Sequence, residues 1–277
     1  MSLCRYGNSM KSWWGWIDGD QVSPIPYEQV RDVFAAPGSD GLLSLKTCGN
    51  GCALSEVELL APVLAEQEIW AAGVTYESSK FARMAESPEG GDFYAKVYIA
   101  DRPELFLKAS PGRTRGPGDD LRVRADSSWN VPEPELAVVI AGNGTILGYT
   151  IGNDMSSRDI EGANPLYLPQ AKVYNGSCAV GPVIIPASGL DPHNLPITLS
   201  IVREGVEIYR GETSTAKMKR NVQELSEWLF RELDFPFGAI LLTGTGLIPP
   251  DEFSLIPGDN VKISIGGIGD LANPITS

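Results

Sequence analysis

The sequence predicts a mainly β protein with a few α/β elements, and three observations carry that prediction. Thirty Gly and 21 Pro in 277 residues supply turns at a density that a helical bundle would not tolerate. From about Gln67 onward, short apolar runs recur between Gly and Pro, among them EIWAAGVTY, ELFLKAS, ELAVVIAGNGTILGYTIGND, AVGPVIIP, ITLSIVREGVEIYRGE, AILLTGTGLI and NVKISIGGIGDL. Helical spacing is scarcer in that part of the chain. It is carried by SSKFARMAES around Ser78 to Ser87 and by MKRNVQELSEWLFREL from Met218 to Leu233, where Val222, Leu225, Leu229 and Leu233 fall on one face.

Taken in order, WWGWIDGDQVSPI predicts a short hairpin, IPYEQVRDVFAAP a small helix stopped by Pro37, and SEVELLAPV the way out of this segment. Residues 1–66 therefore read as a small N-terminal domain and residues 67–277 as a larger β-rich one. Two further hairpins follow from turn chemistry, one around Gly142-Asn143-Gly144 and one around Glu204-Gly205. Glu133 and Glu135 stand two residues apart at the head of the first of these hairpins. On a strand, that spacing points both carboxylates the same way. The returning strand ends near Asp154. Pro132 and Pro134 each remove a backbone donor, which predicts an edge or entry segment there.

Composition narrows the function classes. A formal net charge of -13 opposes attraction to nucleic-acid phosphates and to anionic membrane surfaces, so neither is expected as a partner. No run of about 18 apolar residues occurs, and the opening MSLCRYGNSMKSWWGWIDGD lacks the apolar segment of a signal peptide, so a cytoplasmic protein is expected. Cys4, Cys48, Cys52 and Cys178 are expected as free thiols, with a Cys48–Cys52 bridge or metal site as the weaker alternative. The single histidine, His193, lies in the polar turn GLDPHNLPITL. One histidine rules out a multi-histidine zinc site and leaves acid–base work to carboxylates, Lys or Tyr.

Glu133, Glu135 and Asp154, with no histidine or cysteine near them in sequence, are the donor set of a hard divalent cation such as Mg²⁺ or Mn²⁺. On spacing alone, a solvated acidic strand face with Asp154 capping a turn is the stronger alternative.

EPELAVVI, then GYTIGNDMSSRD, then a lysine ahead of the G-P pair in CAVGPVI, resemble the fumarylacetoacetate hydrolase superfamily. The likeness runs from about Ile69 to the C-terminus, and TGTGLIPP resembles the family's glycine-threonine loop. Within the family, RPELFLKASPGRTRGPGD, NPLYLPQAKVYNGSCAVGPVI and TSTAKMKRNVQEL resemble the branch of 2-keto-3-deoxy-D-arabinonate dehydratases. The resemblance implies the family's mixed β-sandwich roll beside the small N-terminal domain. It also implies Mg²⁺, with Mn²⁺ or Ca²⁺ as substitutes, on Glu133, Glu135 and Asp154. Lys172 and Glu104 are the implied acid–base pair, although an ion pair with the acidic ligands is the alternative for Lys172. A small 2-keto acid is the implied partner, and a dimer or tetramer the implied assembly.

Further substrate contacts are expected from Lys108, on the strand face of Glu104, and from Tyr76 and Ser79 in the loop after the first long strand. The donors of Thr243, Gly244 and Thr245 are expected to meet a carboxylate. Arg158 is expected to hold either the substrate or the acidic ligands. Hydrolases of the family pair a histidine with a glutamate to activate water, and no histidine precedes Glu133 here. That departure favours elimination of water over carbon–carbon hydrolysis of an acylpyruvate-type substrate. A non-catalytic oligomer with a structural ion is the alternative from another class.

Overall fold

Glycine and asparagine turns set the strands in this structure, a computed structural model that describes residues 1–7, 11–79 and 91–277. Gly144 takes φ 82°, and its N–H donates to the Ala141 carbonyl at 2.9 Å, closing the hairpin expected there. Glu204 and Gly205 both have positive φ, 50° and 81°, as a type I′ turn requires. The longer strands are β1 (Ser2–Gly7), β2 (Ser12–Asp18), β3 (Gln21–Ile25), β4 (Glu68–Gly73), β5 (Glu104–Ala109), β6 (Pro134–Ile140) and β7 (Ile146–Asp154). They continue with β8 (Cys178–Pro186), β9 (Pro196–Arg203), β10 (Val206–Ser214), β11 (Ala239–Leu242), β12 (Asn260–Ile265) and β13 (Gly269–Thr276). Helices α1 (Tyr27–Ala35), α2 (Gly91–Ile99), α3 (Arg158–Ala163), α4 (Leu168–Lys172) and α5 (Val222–Leu229) connect them.

One sheet runs in the order β3-β2-β1-β8-β7-β6-β11-β4-β5, and a second in the order β10-β9-β12-β13. Strand β6 lies in the interior of the large sheet and is buried end to end. Its alternate side chains serve two cores. Leu136, Val138 and Ile140 meet Ile197, Leu199, Ile201 and Ile263 of the second sheet, together with Val222, Leu225 and Leu229 of α5. Ala137 and Val139 share the other core with Trp14, Trp16, Val30 and Phe34 of the N-terminal segment. Each of these large aliphatic side chains contributes about 1.5–3 kcal/mol on burial, so β6 is anchored from both faces. The N-terminal strands extend the same sheet through the Leu3↔Ile184 pairing of β1 with β8.

Pro132 and Pro134 stand at the entry of β6, as expected: the strand as a whole has neighbours on both sides, but the ladder with β11 begins only at Ala137↔Leu242, beyond both prolines. One expectation needs correction, the helix expected over Met218 to Leu233, which is the shorter α5. The Asn221 side chain accepts the Glu224 N–H at 2.7 Å and starts the helix there, Met218 bridges to Tyr76, and Leu233 lies past the end in solvent. Beyond Ser79, the helix expected around Ser78 to Ser87 lies outside the described residues.

Candidate active site

The open end of the β6–β7 hairpin gathers the acidic residues. Pairing sets Pro134 against Asn153 and Glu135 against Gly152, and the Asp154 N–H donates to the Glu133 carbonyl at 3.0 Å. Glu133, one residue before the strand, and Glu135 therefore converge on Asp154. All three are buried, at 3%, 1% and 1% exposure, which excludes the solvated acidic face. One oxygen from each lies within 4.8 Å of the others. A Glu135 oxygen accepts the Gly244 N–H at 2.6 Å. Gly244 sits at φ 90°, and a Cβ there would stand 2.0 Å from Thr75 Oγ1, so only glycine presents its N–H this way.

Burial pushes the Glu135 carboxyl well above the usual carboxylate range, and the Asp154 and Glu133 charges push the same way, against Lys172 and the Gly244 N–H. A divalent cation is the partner that turns this repulsion into attraction, and the all-oxygen donor set suits a hard one.

Among the described residues, three buried cations surround the carboxylates. Lys172, the last residue of α4, places Nζ 2.9 Å from Glu133 Oε2, 3.0 Å from Asp154 Oδ2 and 2.6 Å from Ser156 Oγ. Arg158 Nη2 lies 2.7 Å from Glu133 Oε1. Lys108 Nζ lies 2.6 Å from Asp154 Oδ1 and donates to the Met155 carbonyl at 2.9 Å and to the Lys172 carbonyl. Removing one partner of such a buried pair costs about 3–5 kcal/mol, so the network fixes its own geometry. Glu104 and Glu161 line the same cavity.

The enclosed space is about 20 Å³, room for about one water-sized body. Its wall includes the three carboxylates, Lys172, Arg158, Glu104, Ser79, Gly244 and Thr245. Other expected residues stand behind it. Lys108 clamps Asp154, and the Thr243 hydroxyl donates to the Leu136 carbonyl at 2.9 Å. Tyr76 is buried, and burial together with Glu135 raises its hydroxyl pKa above the usual range. The Gly244 N–H expected to meet a substrate carboxylate meets Glu135 instead. Arg158 holds an acidic residue, one of the two roles left open for it. Ser156, Phe106 and Glu161 were not expected. Glu161 stands three residues after Arg158 in RDIEGA, a spacing that puts both on one helix face, and Ser156 lies within the GYTIGNDMSSRD stretch that resembles the family, the signal that could have found it.

The family described as Fumarylacetoacetate (FAA) hydrolase C-terminal matches residues 69–276, and this chain belongs to that family. The mainly β fold and the family expected from the sequence are both borne out. Among its relatives, the chain is 44% identical over 278 residues to the 2-dehydro-3-deoxy-D-arabinonate dehydratase of Saccharolobus solfataricus, covering 99% of this chain and 85% of the relative. It is 53% identical over 217 residues to a Haloferax volcanii protein described as "Probable 2-keto-3-deoxyxylonate dehydratase", covering 78% and 74%. A solved 2-keto-3-deoxy-D-arabinonate dehydratase complexed with magnesium and 2,5-dioxopentanoate superposes at TM-score 0.87 with 36% identity, covering 100% of this chain and 99% of that one.

Proposed function

We propose that this chain is a metal-dependent hydro-lyase that removes water from 2-keto-3-deoxy-D-arabinonate to give 2,5-dioxopentanoate. The observation that carries the reading is one cavity walled by three buried carboxylates, Lys172 and Glu104, in a chain similar along its whole length to such dehydratases. The names of the two relatives converge chemically. A 2-keto-3-deoxy acid has lost the stereocentres at C2 and C3, so the D-xylonate and D-arabinonate derivatives are one compound, distinguished from the L-arabinonate derivative only at C4.

Glu133, Glu135 and Asp154 would hold Mg²⁺, which when bound acts as a Lewis acid toward the charge that develops on the keto oxygen. Lys172, whose Nζ lies within 3.0 Å of two of these carboxylates, takes the proton on C3 in this reading. Glu104, on the wall built by β4 and β5, in its acid form protonates the departing C4 hydroxyl. The C3–H and C4–O bonds break and water leaves. Loss of a C5 proton and return of one to C3 then give an enol across C4 and C5, which tautomerises to the C5 aldehyde.

Arg158 and Lys108 keep the carboxylates in place during these steps. Among the described residues, no helix is long and apolar enough to cross a membrane. The reading places the enzyme in the cytoplasm as a homodimer or homotetramer, an assembly that light scattering measures.

Incubation of purified protein with Mg²⁺ and 2-keto-3-deoxy-D-arabinonate should yield 2,5-dioxopentanoate, identified by mass spectrometry of its hydrazone. Cleavage of acylpyruvates with no turnover of the sugar acid would replace the dehydratase reading with hydrolysis.

A further inference from the structure

Gly73, the last residue of β4, pairs directly with Glu104, the first residue of β5. Its φ is not in the left-handed region that calls for glycine, so its backbone accepts any L residue. Space is what excludes a side chain. A Cβ built on Gly73 would stand 2.0 Å from Glu104 Oε2, 2.6 Å from its Cδ and 3.2 Å from its Cγ, and these are the three nearest atoms it would meet. The Glu104 side chain therefore lies folded across the bare α-carbon of its cross-strand partner, and both residues line the cavity.

From this contact we infer that Gly73 is a positioning residue for Glu104: its missing Cβ is the seat that holds the carboxyl at the reacting end of the substrate. The inference rests on the catalytic reading of Glu104 given above. Any side chain at position 73 forces the carboxyl back by more than about 1 Å before ordinary contact is restored. The clashing atoms are the far end of a flexible side chain, so the fold absorbs the change while the acid is displaced. Displacement on that scale costs on the order of 10²-fold in rate when the group must donate along a defined line. Gly244, also in the wall, differs in kind, because its φ of 90° requires glycine whatever its neighbours.

The test is a cycle of Gly73→Ala, Glu104→Asp and the double variant, with Glu104→Gln as reference. Gly73→Ala should lower kcat about 10²-fold with little change in KM. Its thermal midpoint and its Mn²⁺ affinity, read by calorimetric titration, should match the wild type, because Glu133, Glu135 and Asp154 are untouched. Aspartate is one methylene shorter and leaves room for the new Cβ, so Gly73→Ala should cost far less turnover in the Glu104→Asp background than in the wild type.

Wild-type turnover in Gly73→Ala, an equal loss in both backgrounds, or a loss that follows unfolding or weakened Mn²⁺ binding would each overturn the inference. Wild-type turnover in Glu104→Gln would instead remove Glu104 from the chemistry, and with it the reading on which the inference stands.

Discussion

Glu135 is where the charge balance of the site is decided. Its carboxyl is fully buried, receives one N–H from Gly244, and faces two like charges. Glu133 and Asp154 differ, since each has a lysine or arginine nitrogen within 3.0 Å. Exchanging Glu135 for glutamine keeps the shape and an oxygen for the Gly244 N–H but removes the charge that faces Glu133 and Asp154. Glu135→Gln should therefore fold normally, and its circular dichroism and thermal midpoint in the absence of metal should equal or exceed those of the wild type. Its Mn²⁺ affinity should fall by at least the roughly 10–100-fold lost when an outer-sphere partner of a metal site is removed. Titration calorimetry reads that loss directly, and an unchanged affinity would exclude Glu135 from the ligand set.

Elements whose shape is written in neighbouring residues were legible, and elements set by distant contacts were not. The Gly142-Asn143-Gly144 hairpin could be read from its turn, and with it the convergence of Glu133, Glu135 and Asp154, because strand spacing and one tight turn suffice to bring them together. Helices α3 and α4 are six and five residues long, too short to show a helical period, and they owe their place to packing and to the charges at their ends. The Lys172 position at the end of α4 came from family resemblance rather than from periodicity. The ends of α5 differ from the expected ones because apolar spacing runs on to Leu233, whereas a cap fixes the start and burial stops at Leu229. That cap gives the prediction at this scale. Asn221→Ala leaves the Glu224 N–H without its 2.7 Å acceptor and should cost about 1 kcal/mol of stability. The loss should appear in urea unfolding as a lower midpoint at constant slope, and an unchanged midpoint would show that the first turn of α5 is held by core packing of Val222 and Leu225 alone.

At the scale of the molecule, folding buries the Glu133, Glu135 and Asp154 carboxylates together inside a protein whose net charge is already -13. Such a centre is relieved either by a proton or by a metal ion, and the two compete. In the metal-free protein the Glu135 carboxyl is held above its ordinary value by burial and by its neighbours, so between the ordinary and the raised value the folded chain binds a proton that the unfolded chain has released. The sign follows from the linkage. Stability from this group is fully present below the ordinary carboxylate value and is lost as pH rises through the raised one. Mg²⁺ restores it by replacing the proton, so its stabilising effect should grow over the same rise in pH, with proton release on binding. A ligand that binds only the folded state at 100 times its Kd adds about 2.7 kcal/mol, which for a chain of this size raises Tm by roughly 5–10 °C. Protein stripped with chelator should be inactive, melt lower as pH rises above the ordinary carboxylate range, and recover both activity and Tm with Mg²⁺. Calorimetric titration of Mg²⁺ in buffers of different ionisation enthalpy should register the displaced proton. A metal-free protein with full activity, or a Tm indifferent to Mg²⁺ at every pH, would mean that the carboxylates are balanced by other groups and that the centre is not a metal site.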